Sequence, residues 1–169
     1  MAVDEEAGKG GAQNGSDQTS PQATRQARAG PGARGDYRAF RTLQTRWADN
    51  DIYGHMNNVV HYALFDTAVN GWLIDQGLLE PGRGAAICLV VETGCRYFAE
   101  MRFPDIVHAG LRVAHLGGSS VRFEIGLFRN DEDRAAAEGH FVHVNVDRDS
   151  RRPVPFDRSA RQAYAGLRL

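Results

Sequence analysis

Cysteine is scarce in this chain of 169 residues, which contains only two, Cys88 and Cys95. Both lie in one apparent strand, seven residues apart, where they would sit roughly 23 Å from each other and face opposite sides. They therefore cannot form a disulfide within that strand. We expect two reduced and partly buried thiols.

An excess of charge and a long apolar run are lacking as well. The 20 Lys and Arg residues nearly balance the 21 Asp and Glu residues, so the formal net charge is −1. This balance gives no electrostatic reason to expect nucleic acid or an anionic membrane as a partner. No apolar run approaches the ~20 residues that span a bilayer, and the polar N-terminus lacks the apolar stretch of a signal peptide. We therefore expect no membrane span and a cytoplasmic protein.

Large apolar side chains are almost absent from residues 1–35. Such a segment cannot bury enough surface to offset the entropy of ordering it, so we expect a disordered tail. Arg25, Arg28 and Arg34 leave open a weak tether to an acidic partner, although the composition favours a solvated tail.

Apolar periodicity indicates one domain over residues 36–156. Residues 37–47 have the β-branched and aromatic content of a strand, and residues 58–76 repeat apolar side chains every four residues, which predicts a long helix. Strands are then predicted at 85–98 and around 107–113, 121–127 and 142–146, and a short helix in the C-terminal segment 157–169. An antiparallel sheet with one apolar face, curled around the long helix, satisfies these patterns.

The loop at residues 46–58 concentrates the chemistry. It has the sequence RWADNDIYGHMNN and leads directly into the long helix. A carboxylate in it would lie beside the unpaired N–H groups of the helix start. The carboxylate can act as nucleophile or base, and the N–H groups can hold an oxyanion. An ester or thioester hydrolase needs these two parts.

The same loop carries a family resemblance. RWADND at 46–51 and GHMNN at 54–58 resemble the hotdog-fold acyl-CoA thioesterases of the 4-hydroxybenzoyl-CoA thioesterase type. Further matching segments lie at 64–66, 90–97, 103–105, 119–120 and 146–153, so that the resemblance spans about residues 38–155. It implies an α+β hotdog fold, in which an antiparallel five-strand sheet wraps around one long central helix. It also implies a homodimer or homotetramer with active sites between protomers.

The resemblance assigns roles to residues of the loop. Asp51, the last acid, corresponds to the catalytic carboxylate; direct attack and activation of a water both remain open. A main-chain N–H near Asn58 would bind the thioester oxygen. Apart from the resemblance, the position of His55 in the loop is consistent with a catalytic role in orienting Asp51 or the substrate, and equally with a half-buried histidine bonded to the backbone. The candidate substrate-binding residues are Tyr53, Gly54, Asn57, Ser119 and Ser120. The sequence departs from some relatives at His61, which precedes Tyr62, and at residues 115–118, HLGG, where those relatives carry a basic cluster for CoA phosphates.

Other polar residues have simpler interpretations. Asp49 is more consistent with an ion pair to Arg46 than with catalysis. Asp66, on the helix, is a reserve carboxylate, but a structural hydrogen bond is favoured for it. Glu92 could face the cleft or point outward from its strand. We expect no metal and no cofactor, since no Cys/His cluster has zinc spacing and His140 and His143, three apart on a strand, would face opposite sides.

The leading hypothesis is hydrolysis of an acyl-CoA thioester to free acid and CoA. One alternative is a thioesterase that acts on acyl carrier protein, which would require a basic docking surface for an acidic carrier. A second is a non-catalytic module that binds acyl-CoA. A third is a hotdog dehydratase or hydratase, which His55 keeps open.

Overall fold

The computed structural model of the protein describes residues 30–169. Two short 3-10 turns, Arg34–Asp36 and Trp47–Asp49, flank the first strand. The main elements are, in chain order, β1 (Ala39–Gln44), α1 (Asn58–Asp75), β2 (Ala86–Tyr97), β3 (Ile106–Leu116), β4 (Ser120–Arg129), β5 (Ala137–Asp147) and α2 (Arg158–Gly166). All five predicted strands and both predicted helices are therefore present.

The five strands form one antiparallel sheet in the order β1-β3-β4-β5-β2. The apolar side chains of β4 that alternate along the sequence, including Phe123 and Ile125, are fully buried on the face that packs against α1. This is the α+β hotdog architecture that the resemblance implied. The order leaves β1 and β2 as the two edge strands.

Helix α1 begins and ends where its sequence signals predict. The Asn57 side chain accepts a hydrogen bond from the Val59 N–H at 3.1 Å and so caps the first turn. Gly77 follows the last turn with a φ of +68°, which only glycine adopts without strain. The face towards the sheet buries Leu64, Phe65, Ala68, Val69 and Leu73. Among residues 30–169, no helix has the length and apolar character needed to cross a membrane.

The first strand is shorter than predicted, because Trp47–Asp49 turns away from the sheet. The Asp49 carboxylate accepts hydrogen bonds from the Arg46 N–H at 2.7 Å and from its guanidinium, and these bonds close the turn. Trp47 is 80% exposed as a result. The last strand, in contrast, begins five residues earlier than predicted, because Gly139 lies against the Phe65 ring and interrupts the apolar alternation.

The prediction that Cys88 and Cys95 face opposite sides is wrong. The pairing of β2 with β5 shifts between Val90 and Glu92, where Val91 is an extra residue. A bulge of one residue reverses the alternation of side chains that follows it. Both cysteines are therefore half-buried and pack against the core cluster, as free thiols.

Residues 30–35, the end of the predicted tail, contact the sheet. The Gly32 N–H donates to the Glu138 carboxylate at 2.8 Å, and the Arg34 guanidinium donates to the Asn130 and Glu132 carbonyls. The Arg34 guanidinium also lies 4.9 Å from the centre of the Phe128 ring. The folded part thus extends further towards the N-terminus than residue 36, and the rest of the predicted tail, residues 1–29, lies outside the described residues.

Candidate active site

Asp51 lies in a tight turn immediately before α1. Its N–H donates to the His55 carbonyl at 2.7 Å, and its carbonyl accepts from the Gly54 N–H at 3.2 Å. One carboxylate oxygen, Oδ1, accepts from the Tyr53 N–H at 2.8 Å and the His55 N–H at 3.3 Å. Within residues 30–169 no donor contacts the second oxygen, Oδ2. The turn therefore holds the carboxylate in place by one oxygen and leaves the other available for chemistry.

Asp49, two residues earlier, has a different environment. Asp49 is 2% exposed, and its carboxylate is ion-paired to Arg46 at 2.8 Å, as the sequence favoured. Burial disfavours the charged form, but hydrogen bonds from the Arg46 side chain and main chain outweigh it and lower the Asp49 pKa. The Asp49 carbonyl accepts from the Asn57 N–H at 2.9 Å. Asp49 thus shapes the loop and sets the start of α1.

The helix start offers a donor beside this turn. The Asn57 carbonyl accepts from the Val60 N–H at 2.9 Å, and the Asn57 side chain accepts from Val59. The Asn58 N–H has no acceptor among the described residues, and Asn58 is exposed. A helix-start N–H that points at solvent can bind an oxygen that gains negative charge. The N–H that the sequence assigned to the thioester oxygen is therefore free to bind one.

A connection between β2 and β3 fixes the other side of the loop. The Asn50 side chain accepts from the Phe103 N–H at 3.0 Å, and the Met56 N–H donates to the Met101 carbonyl at 2.7 Å. The His55 ring lies 3.1 Å from the Glu100 carboxylate. His55 contacts the Asp51 carboxylate through the main-chain N–H of His55, so the backbone and not the imidazole orients Asp51. The imidazole faces Glu100.

His61 is a component of the site that the sequence marked only as a departure from relatives. It is 5% exposed, its Nδ1 lies 3.2 Å from the Asn57 carbonyl, and its ring packs edge-on against Tyr97 at 4.9 Å. Burial lowers the His61 pKa more than the contact with the Asn57 carbonyl raises it. The ring therefore joins the helix start to β2 in its neutral form. Its spacing of four residues after the N-cap is the signal that could have indicated this contact.

Ser119 and Ser120 lie far from Asp51 in the same chain. They follow the β3–β4 turn, where the Gly117 N–H donates to the Ser120 carbonyl. The loop at Asp51 instead follows the end of β1 that pairs with Ile106, at the opposite end of β3. Because β3 has 11 residues, the two ends are roughly 33 Å apart. One chain therefore does not bring the predicted serines to the predicted carboxylate.

The two other candidate carboxylates, Glu92 and Asp66, have surroundings that differ from those of Asp51. Glu92 points away from α1 and accepts from Arg122 at 2.9 Å and contacts His140 at 3.0 Å, which lowers its pKa. It is an outward-facing strand residue. Asp66 is exposed on α1, eight residues after Asn58. No group of His, Cys, Asp or Glu in the described part of the chain has the arrangement of a metal site.

Comparison with known proteins identifies the family. A family model described as the thioesterase-like superfamily matches residues 45–164, which include the Asp51 loop, α1 and the whole sheet after β1. The chain belongs to this superfamily. The predicted activity of a hydrolase that cleaves thioester bonds is thereby confirmed at the level of the family. Among curated proteins, none matches the chain.

Solved structures agree with this membership. The PA5185 protein of Pseudomonas aeruginosa strain PAO1 is 50% identical to this thioesterase-like protein, over 82% of this chain and 96% of that chain, with a TM-score of 0.79. Two more distant structures, each 17% identical, share the fold. Slr0204 of Synechocystis, a 1,4-dihydroxy-2-naphthoyl-CoA thioesterase, aligns with a TM-score of 0.69 over 76% of this chain and 96% of that one. The SAV2348 protein of Staphylococcus aureus, in complex with CoA, aligns with a TM-score of 0.70 over 77% and 85%.

Proposed function

We propose that the protein hydrolyses acyl-CoA thioesters by the loop-carboxylate chemistry of the 4-hydroxybenzoyl-CoA thioesterase type. The observation that supports the proposal is the position of Asp51 in the turn immediately before the start of α1. A carboxylate held by one oxygen, with its second oxygen free, lies in the turn just before an N–H that has no acceptor in the described chain. A nucleophile or base and an oxyanion donor are sufficient for thioester hydrolysis, and these two groups can supply both.

The chemistry follows from this arrangement. The thioester carbonyl oxygen accepts a hydrogen bond from the Asn58 N–H, which stabilises the negative charge that develops on it. Asp51 Oδ2 either takes a proton from a water as that water attacks the carbonyl carbon, or attacks the carbon itself and forms an anhydride that water then cleaves. In both routes the C–S bond breaks, CoA leaves as a thiolate and is protonated, and the acid is released. One well-placed oxyanion donor contributes ~3–4 kcal/mol.

CoA is the proposed carrier of the acyl group. Slr0204 acts on a CoA thioester and SAV2348 holds CoA in its structure, and both have this fold. These two proteins have low identity to the chain, so the carrier rests on the resemblance of the loop and the shared fold together. Tyr53, Gly54 and Asn57, which surround the Asp51 turn, are the proposed contacts of the substrate on this side.

The proposed active unit is a dimer joined along β2. This edge strand leaves its outer N–H and C=O groups unpaired and exposes Val90 (47%), Val91 (61%) and Tyr97 (49%). Native proteins rarely leave a long apolar edge open, and pairing of two copies of one strand gives a closed two-fold assembly. Since Ser119 and Ser120 lie far from Asp51 of their own chain, we propose that they serve the site of a neighbouring protomer.

An acyl carrier protein is a second candidate for the carrier. Arg158, Arg161 and Arg168 line a groove on α2 of about 710 Å³, and no carboxylate in the described residues pairs with them. The Arg161 guanidinium donates to the Gly117 carbonyl at 2.9 Å. A basic surface of this kind fits an acidic carrier, which the sequence alone did not indicate.

A thiol-release assay separates the two carriers. The same acyl group is offered on CoA and on acyl carrier protein to the wild-type protein and to the Arg158→Ala/Arg161→Ala double variant. We expect a higher kcat/KM for the CoA ester in the wild type. A higher value for the carrier-protein ester, lost selectively in the double variant, would establish the alternative instead. Absence of hydrolysis of either ester, with bound CoA detected by calorimetry, would support a non-catalytic binding module.

A further inference from the structure

His61 contacts the peptide group that contains the proposed oxyanion donor. Its ring nitrogen Nδ1 lies 3.2 Å from the carbonyl oxygen of Asn57. The Asn57 carbonyl and the Asn58 N–H belong to the same peptide unit, which is planar and rigid. A group that binds this carbonyl therefore restricts the direction of the Asn58 N–H and also acts on its electron density.

The chemistry of the contact defines the state of the imidazole. A carbonyl oxygen only accepts hydrogen bonds, so Nδ1 bears the hydrogen and donates it. Burial lowers the pKa of His61, so the ring is neutral near pH 7 and its lone pair is on Nε2. The residue is buried, and its ring packs edge-on against Tyr97 with centroids 4.9 Å apart. The donor is therefore held in one position relative to the peptide.

The Asn57 carbonyl accepts a second hydrogen bond, from the Val60 N–H at 2.9 Å. Carbonyl groups in a helix point towards its C-terminus and N–H groups towards its N-terminus. The bond to Val60 thus aligns the peptide with the axis of α1, and the Asn58 N–H points out of the helix start. Because the backbone already satisfies the carbonyl, the bond from His61 uses its second lone pair and is additional.

This additional bond strengthens the N–H as a donor. Hydrogen bonds that are linked through one peptide polarise one another. A donor at the carbonyl oxygen draws electron density towards that oxygen and leaves the N–H hydrogen more positive. The polarisation is larger when the N–H binds an oxyanion than when it binds a neutral thioester carbonyl. Only an interaction that is stronger in the transition state accelerates the chemical step, so the contact should raise kcat more than affinity.

We propose that His61 is a positioning residue for the reaction: its Nδ1–H donates to the Asn57 carbonyl and so orients and polarises the peptide whose N–H, at Asn58, binds the oxyanion. This inference rests on the proposed thioesterase function. In this role His61 neither contacts the substrate nor transfers a proton, and it acts only through the Asn57–Asn58 peptide.

Two substitutions separate the hydrogen bond from the packing of the ring. His61→Asn places an amide N–H near the position of Nδ1, since both nitrogens are bonded to Cγ, and removes the ring. His61→Phe keeps a ring against Tyr97 and removes the donor. We expect His61→Phe to lower kcat about 3- to 10-fold, with KM within about twofold of the wild type, and His61→Asn to retain most of kcat. A role in packing alone predicts the reverse order.

The matched control is His108→Phe, which changes a half-buried histidine of β3 whose ring contacts Thr42. His108 lies outside the proposed site, so this variant should keep both kcat and KM. A wild-type kcat in His61→Phe, or equal losses in His61→Phe and His61→Asn, would refute the proposed role of His61.

NMR of the ¹⁵N-labelled full chain provides a readout that does not depend on turnover. We expect the amide proton of Asn58 to move upfield in His61→Phe and to stay near its wild-type position in His61→Asn. An unmoved Asn58 amide in His61→Phe would refute the polarisation. If the wild type hydrolyses no acyl-CoA, the proposed function fails, whereas the Asn58 amide still tests the effect of His61, so the two failures are separable.

The wild type alone suffices if a His61 variant does not fold. The ring nitrogens of ¹⁵N-labelled histidine must then show a protonated Nδ1 and an unprotonated Nε2 for His61 at neutral pH. The opposite tautomer would refute the proposal, because an unprotonated Nδ1 cannot donate to the Asn57 carbonyl.

Discussion

Asp49 and Asp51 carry the same carboxylate two residues apart, yet their surroundings give them different roles. Asp49 is buried and saturated by Arg46, whereas Asp51 is held by two main-chain N–H groups and keeps one oxygen without a donor from the described chain. The sequence could predict the ion pair, because Arg46 lies three residues before Asp49. The role of Asp51 follows from the family resemblance more than from local chemistry.

The buried ring of His143 was beyond sequence reasoning. Alternation predicted correctly that His143 and His140 face opposite sides of the sheet. The surroundings of the His143 ring depend on how α1, β2 and β5 pack together. The same packing determines whether a hydrogen-bond partner reaches the ring. Only the assembled sheet shows that Phe123 and Phe141 enclose it.

His143 should leave a signature in the dependence of stability on pH. Burial lowers its folded pKa to about 4, below the ordinary histidine value of 6.5, so the unfolded chain binds a proton first as the pH falls. The contribution of the neutral ring to the free energy of unfolding is therefore fully present above pH 6.5. It falls by about 3 kcal/mol as the pH falls towards 4. Urea unfolding of the wild type and His143→Phe across this window measures the difference. Burial also lowers the pKa of His61, but His61 is present in both proteins and therefore does not contribute to the difference between them.

We expect the variant to lose less stability than the wild type on acidification and to be at least as stable near neutral pH, since it removes two buried polar atoms that have no hydrogen-bond partner within residues 30–169. Parallel pH profiles of the two proteins would show that the His143 ring is protonated as readily in the folded chain as in the unfolded one.

Among the secondary-structure elements, the bulge at Val91 is the feature that the apolar periodicity did not predict. The strand was predicted correctly, but one extra residue reverses the faces of everything after it and brings Cys88 and Cys95 to the same side. Such a bulge has no signal in the apolar run of β2. The end of α1, in contrast, was predictable, since Asn57 and Gly77 are residues that favour helix ends.

Two glycines show how closely the helix and sheet approach. An added Cβ at Gly139 would overlap the Phe65 ring, which is fully buried and cannot move away. We expect Gly139→Ala to lower the free energy of unfolding by about 1–3 kcal/mol. Gly71→Ala is the control, because its Cβ would meet only the end of the flexible Arg41 side chain and alanine favours the helix by ~1 kcal/mol. Denaturant titration compares them; equal losses in both variants would contradict the packing described for Gly139.

At the scale of the whole molecule, one chain holds the predicted site residues at two separate places. Asp51 lies in the turn that leads into α1, which begins at Asn58, whereas Ser119 and Ser120 lie at the other end of β3. The sequence could predict both groups but not their separation, because that depends on strand order. The resemblance implied a shared site, and the open β2 edge is where two copies would join.

A charge on this edge tests the proposed dimer. In a two-fold pairing along β2, Val91→Lys would bring two like charges near each other, which destabilises strand pairing. We expect sedimentation equilibrium to shift from dimer to monomer and most turnover to be lost. Leu169→Lys, which alters an exposed apolar residue at the C-terminus, should change neither. A Val91→Lys protein that is monomeric and fully active would mean that each chain completes its own site.

The turnover of Asp51→Asn tests the proposed role of the loop carboxylate most directly. This change keeps the shape of the side chain and can retain hydrogen bonds from the Tyr53 and His55 N–H groups, but it removes the carboxylate that attacks or activates water. Thiol release is measured for this variant with the acyl-CoA that the wild type hydrolyses best. The control is Asp131→Asn, which changes an exposed carboxylate between β4 and β5. Both variants should have the same melting temperature, which shows that they are folded. We predict a kcat at least ~100-fold lower for Asp51→Asn and unchanged for the control. Turnover like that of the wild type in a folded Asp51→Asn protein would contradict this prediction.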